Sequence, residues 1–124
     1  LVTCLTYPDW GEGHAVVFGE VAQRPGDFAL TGIVGAIKVE SGRIIRAGLA
    51  WLAMGPTPLA MTQVEQALLG QAPDEADLQA LANLAISETA PFDDHHASAE
   101  YRRTVGKRLF VKTLAAALKQ EQAA

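Results

Sequence analysis

Cysteine is almost missing from this sequence: Cys4 is the only one in 124 residues. A single thiol excludes an internal disulfide, a cysteine-built zinc site and a cysteine-ligated iron–sulfur cluster assembled from this chain alone. A reducing, cytoplasmic setting is the expectation. Basic excess is lacking as well, with a formal charge of −4 and a pI near 5.2. That balance argues against general affinity for nucleic acid or anionic membrane, since phosphate binding needs a basic surface. No apolar run approaches a membrane span. The opening Leu1-Val2-Thr3-Cys4-Leu5-Thr6 has neither an initiator Met nor the basic start and long apolar core of a signal peptide. It reads as a β-prone run continuing from something upstream. No repeat is visible, and no P-loop, Gly-x-Ser-x-Gly or His-Glu-x-x-His motif occurs.

What is present is an ordinary globular composition, 49% hydrophobic and 19% charged, far from that of disordered chains. At this length roughly two thirds of the unfolded surface is buried on folding, enough for one core. Strand character fills the first half and helix character the second, the segregated pattern of an α+β fold. Residues 15–22 are Val-rich, and Gln23-Arg24-Pro25-Gly26-Asp27 forms a turn before a long strand over 28–40. Gly32 and Gly35 within that strand suggest a bulge or a close backbone approach. Ser41-Gly42 then makes a two-residue hairpin into a strand over 43–52. The prolines at 56 and 58 predict a loop leaving the sheet. Thr62 and Glu65 have the spacing of a capping box for a short helix ending at Gly70. A second helix is expected to open at Pro73-Asp74, with Leu78, Leu81, Ala82 and Ala85 as its apolar stripe. A third is expected from about 98 to 119, with Tyr101, Val105, Leu109, Ala115 and Leu118 near one face. The expected fold is α+β: a small antiparallel sheet of three to four strands, covered by helices.

Several groupings bear on chemistry. Gly11-Glu12-Gly13-His14-Ala15-Val16 begins like a dinucleotide-binding glycine motif, but Val16 stands at the third glycine position and a strand follows instead of a helix. The segment reads as a loop. Asp93-Asp94-His95-His96 is the one dense run of metal-capable side chains. Adjacent residues point in different directions, so a polar helix start is favoured over a metal site. Arg102, Arg103, Lys107, Arg108, Lys112 and Lys119 place six of the ten basic residues on the last helix. A solvated charged face is the plain reading, and subunit docking the alternative. Trp10 and Trp51 read as core or interface packing, since no basic groove is interleaved with them.

Three segments taken together carry a resemblance. Phe18-Gly19-Glu20-Val21-Ala22-Gln23-Arg24-Pro25-Gly26-Asp27-Phe28-Ala29-Leu30 is the first. Met54-Gly55-Pro56-Thr57-Pro58-Leu59-Ala60 is the second, and Asp93-Asp94 followed by Ala97-Ser98-Ala99-Glu100-Tyr101-Arg102-Arg103 the third. In order and spacing they resemble the C-terminal domain of the FAD-binding, or medium, subunit of molybdenum hydroxylases, the group of aerobic carbon monoxide dehydrogenase and xanthine dehydrogenase. The likeness spans nearly the whole chain. It implies a small antiparallel sheet covered on one side by three helices. It also implies that residues 1–9 end a preceding FAD-binding domain or linker, and that residues 10–124 form the C-terminal domain.

In such enzymes a molybdopterin centre in the large subunit oxidises substrate, and 2Fe-2S clusters in the small subunit pass electrons to FAD in the medium subunit. The resemblance therefore implies a domain that closes the flavin cleft, with FAD bound mainly by upstream domains and no catalytic residue of its own. It places Glu20, Arg24, Gly26 and Asp27 near the flavin. Arg24 would compensate negative charge on reduced flavin, Gly26 would permit close approach, and Asp27 would hold the turn by accepting backbone amides. The alternative for Arg24 and Asp27 is that they merely brace the turn. The chain departs from the family pattern at Glu20, where some members carry positive charge, and at Ala60, where members often carry Arg. Two rival readings stand beside this one: a stand-alone protein-interaction module with no redox role, and a small metal-dependent enzyme built on residues 93–96.

Overall fold

Alternation of side chains along three consecutive runs, each broken by turn chemistry, produces an antiparallel meander. In the computed structural model, which describes residues 1–123, strands β1 (His14–Ala22), β2 (Ala29–Glu40), β3 (Arg43–Leu52) and β4 (Leu59–Ala60) pair in the order β1-β2-β3-β4. Successive residues point to opposite faces. Ala15, Val17, Ile33, Ile37, Leu49 and Trp51 therefore turn inward and are buried, while Val16 and Phe18 turn outward and are exposed. The Ser41-Gly42 turn closes β2 onto β3 with both residues at positive φ, 51° and 74°, the geometry that suits the twist of a two-residue hairpin.

The glycines of β2 act by close approach. A Cβ at Gly35 would lie 2.0 Å from the Gly48 carbonyl oxygen on β3. The register shifts lie elsewhere, at Val21/Ala22 and Lys38/Val39. Contrary to the expectation of a loop throughout, Leu59–Ala60 pairs briefly with Ala50 and Trp51. From Leu59, directly after Pro58, the chain has backbone amides again, and the edge of β3 is open to them. The β-prone run Leu1–Thr6 forms no strand.

Three helices cover the inner face: α1 (Thr62–Leu68), α2 (Leu78–Ser87) and α3 (Ala99–Ala123). α3 packs on β1 and β2, α1 on β3, and α2 on α3. The sheet is thus layered on one side by three helices, as the sequence led us to expect. Two helix starts differ from expectation. The capping box at Thr62 and Glu65 does not form, because Met61 precedes the helix and no side chain caps it. Glu65 Oε1 instead accepts the Leu49 amide at 2.7 Å, tying α1 to β3. Pro73–Glu75 makes only a 3-10 turn, braced by Glu75 accepting the Ala72 amide. α2 opens five residues after Pro73, where Asp77 Oδ1 accepts the Gln79 and Ala80 amides. Helix capping needs an oxygen at the residue just before the first turn, and Asp77 provides it.

The face of α3 is also rotated from the expected one. Arg102, Gly106, Phe110, Leu114, Ala117 and Leu118 are buried, whereas Tyr101 is exposed. A 3.6-residue period places 102, 106, 110 and 114 on one stripe. Gly106 permits close packing there: a Cβ would meet Thr31 Oγ1 at 3.1 Å and Met54 Cε at 3.2 Å. At the centre Trp51 is buried beside Phe110, with ring centroids 6.1 Å apart, and donates its indole N–H to the Ala85 carbonyl.

Candidate functional site

The turn between β1 and β2 carries three of the four residues singled out by resemblance. The Asp27 amide donates to the Arg24 carbonyl at 3.1 Å, Asp27 Oδ1 accepts the Phe28 amide at 2.9 Å, and Arg24 Nε donates to Asp27 Oδ2 at 3.3 Å. Gly26 closes the turn at φ +82°, with nothing within 4 Å of where a Cβ would stand. The Arg24 side chain is 82% exposed and that of Asp27 32%. An ion pair this open contributes at most about 1 kcal/mol. Asp27 thus braces the turn, while the guanidinium of Arg24 stays in solvent. Glu20 stands apart from the pair, exposed on the outer face of β1 opposite Gly32.

Sequence reasoning missed the support behind this turn. Arg102 was grouped with the solvated cations of the last helix, yet it is only 3% exposed. One of its amino groups donates to the Leu30 carbonyl, three residues past Asp27, and the other to Asp94 Oδ2 at 2.9 Å. Its guanidinium also lies 5.2 Å from the centre of the Phe92 ring, within cation–π range. The first and third signature segments are thereby fastened together by one side chain. The available signal was its four-residue spacing from Gly106, Phe110 and Leu114, which puts Arg102 on the buried stripe.

The acidic pair before α3 is consumed by backbone. Asp93 Oδ1 accepts the Ala99 amide at 2.6 Å, Asp94 Oδ1 accepts the His96 and Ala97 amides at 2.9 Å each, and Ser98 Oγ accepts the Tyr101 amide. The Ala97 amide holds the Asp94 carboxyl below the usual aspartate range, helped by the His96 amide and by Arg102, while partial burial opposes the shift. Among the described residues no three His, Cys, Asp or Glu side chains converge as a metal site would require.

Between the turn and this loop lies a pocket of about 210 Å³ lined by Gln23, Asp27, Phe28, Phe92, Asp94 and Arg102, among others. A larger concavity of about 590 Å³, between the β2–β3 hairpin and Pro73, holds no convergent set of reactive groups and is not lined by the turn. Nor does the chain fit FAD as its main holder. A pyrophosphate is cradled by a glycine turn that opens a helix, whereas Gly11-Glu12-Gly13 leads into β1. There the Gly11 amide donates to Asp9 Oδ1, and the Gly11 carbonyl bonds His14 Nδ1. The turn at 23–28 is instead an uncrowded glycine turn beside an exposed cation.

The chain is thus a single antiparallel sheet backed on one face by helices, with a braced charged turn between β1 and β2. Residues 17–117 match the family model described as the CO dehydrogenase flavoprotein C-terminal domain. Over 119 residues, 95% of the chain, it is 29% identical to the 6-hydroxypseudooxynicotine dehydrogenase complex subunit alpha of Paenarthrobacter nicotinovorans, of which it covers 40%. Over 101 residues, 82% of the chain, it is 31% identical to the glyceraldehyde dehydrogenase medium chain of Sulfolobus acidocaldarius, of which it covers 36%. The fold superposes on carbon monoxide dehydrogenase from Hydrogenophaga pseudoflava with a TM-score of 0.83 and 26% identity, over 90% of this chain and 39% of that one. The chain belongs to the CO dehydrogenase flavoprotein C-terminal domain family, a domain of the FAD-binding subunit of molybdenum hydroxylases. It spans well under half the length of the relatives it matches.

Proposed function

We propose that this domain closes the flavin cleft of an FAD-binding subunit and supports electron transfer from iron–sulfur clusters to FAD in a molybdenum hydroxylase. The observation that carries the proposal is the turn at 23–28. It belongs to the segment matched by the family, it projects an exposed guanidinium whose Nε pairs with Asp27, and it is anchored from behind by Arg102. FAD, held mainly by upstream domains, supplies the hydride and electron chemistry. This chain's residues act at its rim. Arg24 offers positive charge, Gly26 leaves room for a planar ring, Asp27 fixes the turn, and Glu20 contributes negative charge on the adjoining strand face. Residues 1–9 then serve as the linker or end of a preceding FAD-binding domain, and residues 10–124 as the C-terminal domain.

The partners under this reading are the upstream FAD-binding domains, a molybdopterin-binding large subunit and a 2Fe-2S small subunit, in the cytoplasm. Relatives described as a complex subunit and a medium chain support a multi-subunit setting. Among the described residues no helix is long and apolar enough to cross a membrane. The test is an FAD titration of this 124-residue chain beside the longer subunit, followed by flavin fluorescence and absorbance. Stoichiometric binding by the longer protein alone is expected. Binding by neither overturns the proposal in favour of the interaction module.

A further inference from the structure

α3 carries a second stripe beside the one that packs on the sheet. Thr104, Lys107, Arg108, Val111 and Lys112 recur at helical spacing, and with Gln79 of α2 they line an open groove of about 500 Å³. Arg108 and Lys112 are exposed and Lys107 is half-buried. Charge in this region has one sign. From Tyr101 to Gln120 the sequence holds six cations and no carboxylate side chain, and α2 holds no charged residue at all. Asp77, just before α2, is occupied as the cap of that helix. None of Lys107, Arg108 and Lys112 forms a salt bridge among the described residues.

A helix face that only needs solvation mixes its signs, because like charges four residues apart repel. Here Arg103 stands four residues before Lys107, and Arg108 four before Lys112. The chain concentrates this repulsion in one place although its formal charge is −4. An acidic surface laid in the groove relieves it. The make-up of the groove also decides what kind of contact it suits. Permanent subunit interfaces keep Lys and other charges out of their centres, whereas this groove sets three cations around one aliphatic side chain, Val111. Weak redox encounters bury little area and are steered by complementary charge.

We propose that the α2–α3 groove docks a small acidic electron-carrier protein, the external acceptor that takes electrons from the flavin. The inference rests on the flavin-cleft reading and goes beyond it by giving the acceptor a class and a place. Thr104, at one end of the groove, lies two residues past Arg102, the anchor of the turn at 23–28. The width of one helix, about 10 Å, therefore separates the docked carrier from the support of that turn. Two oxidised carriers, docking in turn, accept one electron each from the reduced flavin, and its protons go to solvent.

The test is binding of an acidic plant-type 2Fe-2S ferredoxin to the full-length subunit, measured by surface plasmon resonance at low and at high salt. Saturable binding at low salt that weakens roughly tenfold or more at high salt is expected. Combining Lys107→Gln, Arg108→Gln and Lys112→Gln should weaken the low-salt binding by roughly tenfold or more. Combining Thr57→Glu, Gln63→Glu and Gln66→Glu shifts net charge by the same amount at exposed positions elsewhere, and should change binding by less than about twofold. The first variant loses like-charge repulsion and should melt no lower than the parent, so a lost signal is not lost folding. Equal binding by that variant, or no binding of ferredoxin at all, overturns the dock and leaves the flavin-cleft reading standing, because neither outcome touches the FAD titration. Heparin binding through the same three residues, with ferredoxin left unbound, assigns the groove to polyanions at large and overturns the proposal. Binding by the isolated subunit that disappears in the assembled complex assigns the face to a neighbouring subunit and overturns it as well. A full-length subunit that binds ferredoxin but takes up no FAD overturns the carrier role together with the reading beneath it.

Discussion

Arg102 shows how much one side chain decides at the scale of the residue. Its guanidinium is almost fully buried, with Nε lacking a partner among the described residues, and it binds both Leu30 and Asp94. Arg102→Met keeps the apolar stem but leaves the Leu30 carbonyl unpaired, and is expected to destabilise the domain by about 1 to 3 kcal/mol. Asp94→Ala should be worse than Arg102→Met, because it strands a buried cation rather than removing one. Urea unfolding midpoints measure both. The lowered pKa of Asp94 adds a pH dependence. Its carboxylate is favoured in the folded state, so its contribution is complete above the ordinary aspartate pKa of about 3.9. That contribution falls away as pH drops through the lower folded value. Thermal melts from pH 6 down to about pH 3 should show a loss that Asp94→Asn flattens. Gly35 makes the opposite point, that a missing side chain is also structural. Gly35→Ala drives a methyl into the Gly48 carbonyl and should cost on the order of 3 kcal/mol, read by the same unfolding midpoints.

Among the elements, helix starts separate what spacing suggests from what geometry does. Thr62 and Glu65 have the spacing of a capping box, but Thr62 already lies within the first turn, so its hydroxyl is not at the cap. Thr62→Ala should change stability by less than about 0.5 kcal/mol. Asp77→Ala, which removes the real cap of α2, should cost about 1 kcal/mol. Glu65→Ala leaves the buried Leu49 amide without its acceptor and should cost about 1 to 3 kcal/mol. Chemical denaturation of the three variants side by side gives the ordering directly. α3 carries the larger lesson. Counting its charges suggested a solvated face, while its four-residue stripe of Arg102, Gly106, Phe110 and Leu114 was the face that packs.

For the whole molecule, the one-sided sheet matters most. Helices bury the inner face and leave Val16, Phe18 and Val34 of the outer face exposed. Flavin chemistry on this reading belongs to an assembly in which the turn at 23–28 is one wall. Arg24→Ala should leave the stability of the short chain within about 0.5 kcal/mol of the parent, since the side chain is in solvent. In the full-length subunit the same change should weaken FAD binding or shift the flavin midpoint potential. Thermal melts and a potentiometric titration test the two halves of that statement.

Local rules carried the strands, the Ser41-Gly42 hairpin and the order of sheet before helices, because turn residues and side-chain alternation act over a few neighbours and are written in adjacent positions. The three signature segments were legible for the same reason. The partners of Arg102 and Glu65 were not, since each bonds across a long loop of sequence, 72 residues to Leu30 and 16 to Leu49. Where β4 pairs and why Gly35 must be glycine were likewise decided only when strands and helices closed on one another. Such contacts depend on the distance between elements, and adjacency along the chain does not encode it.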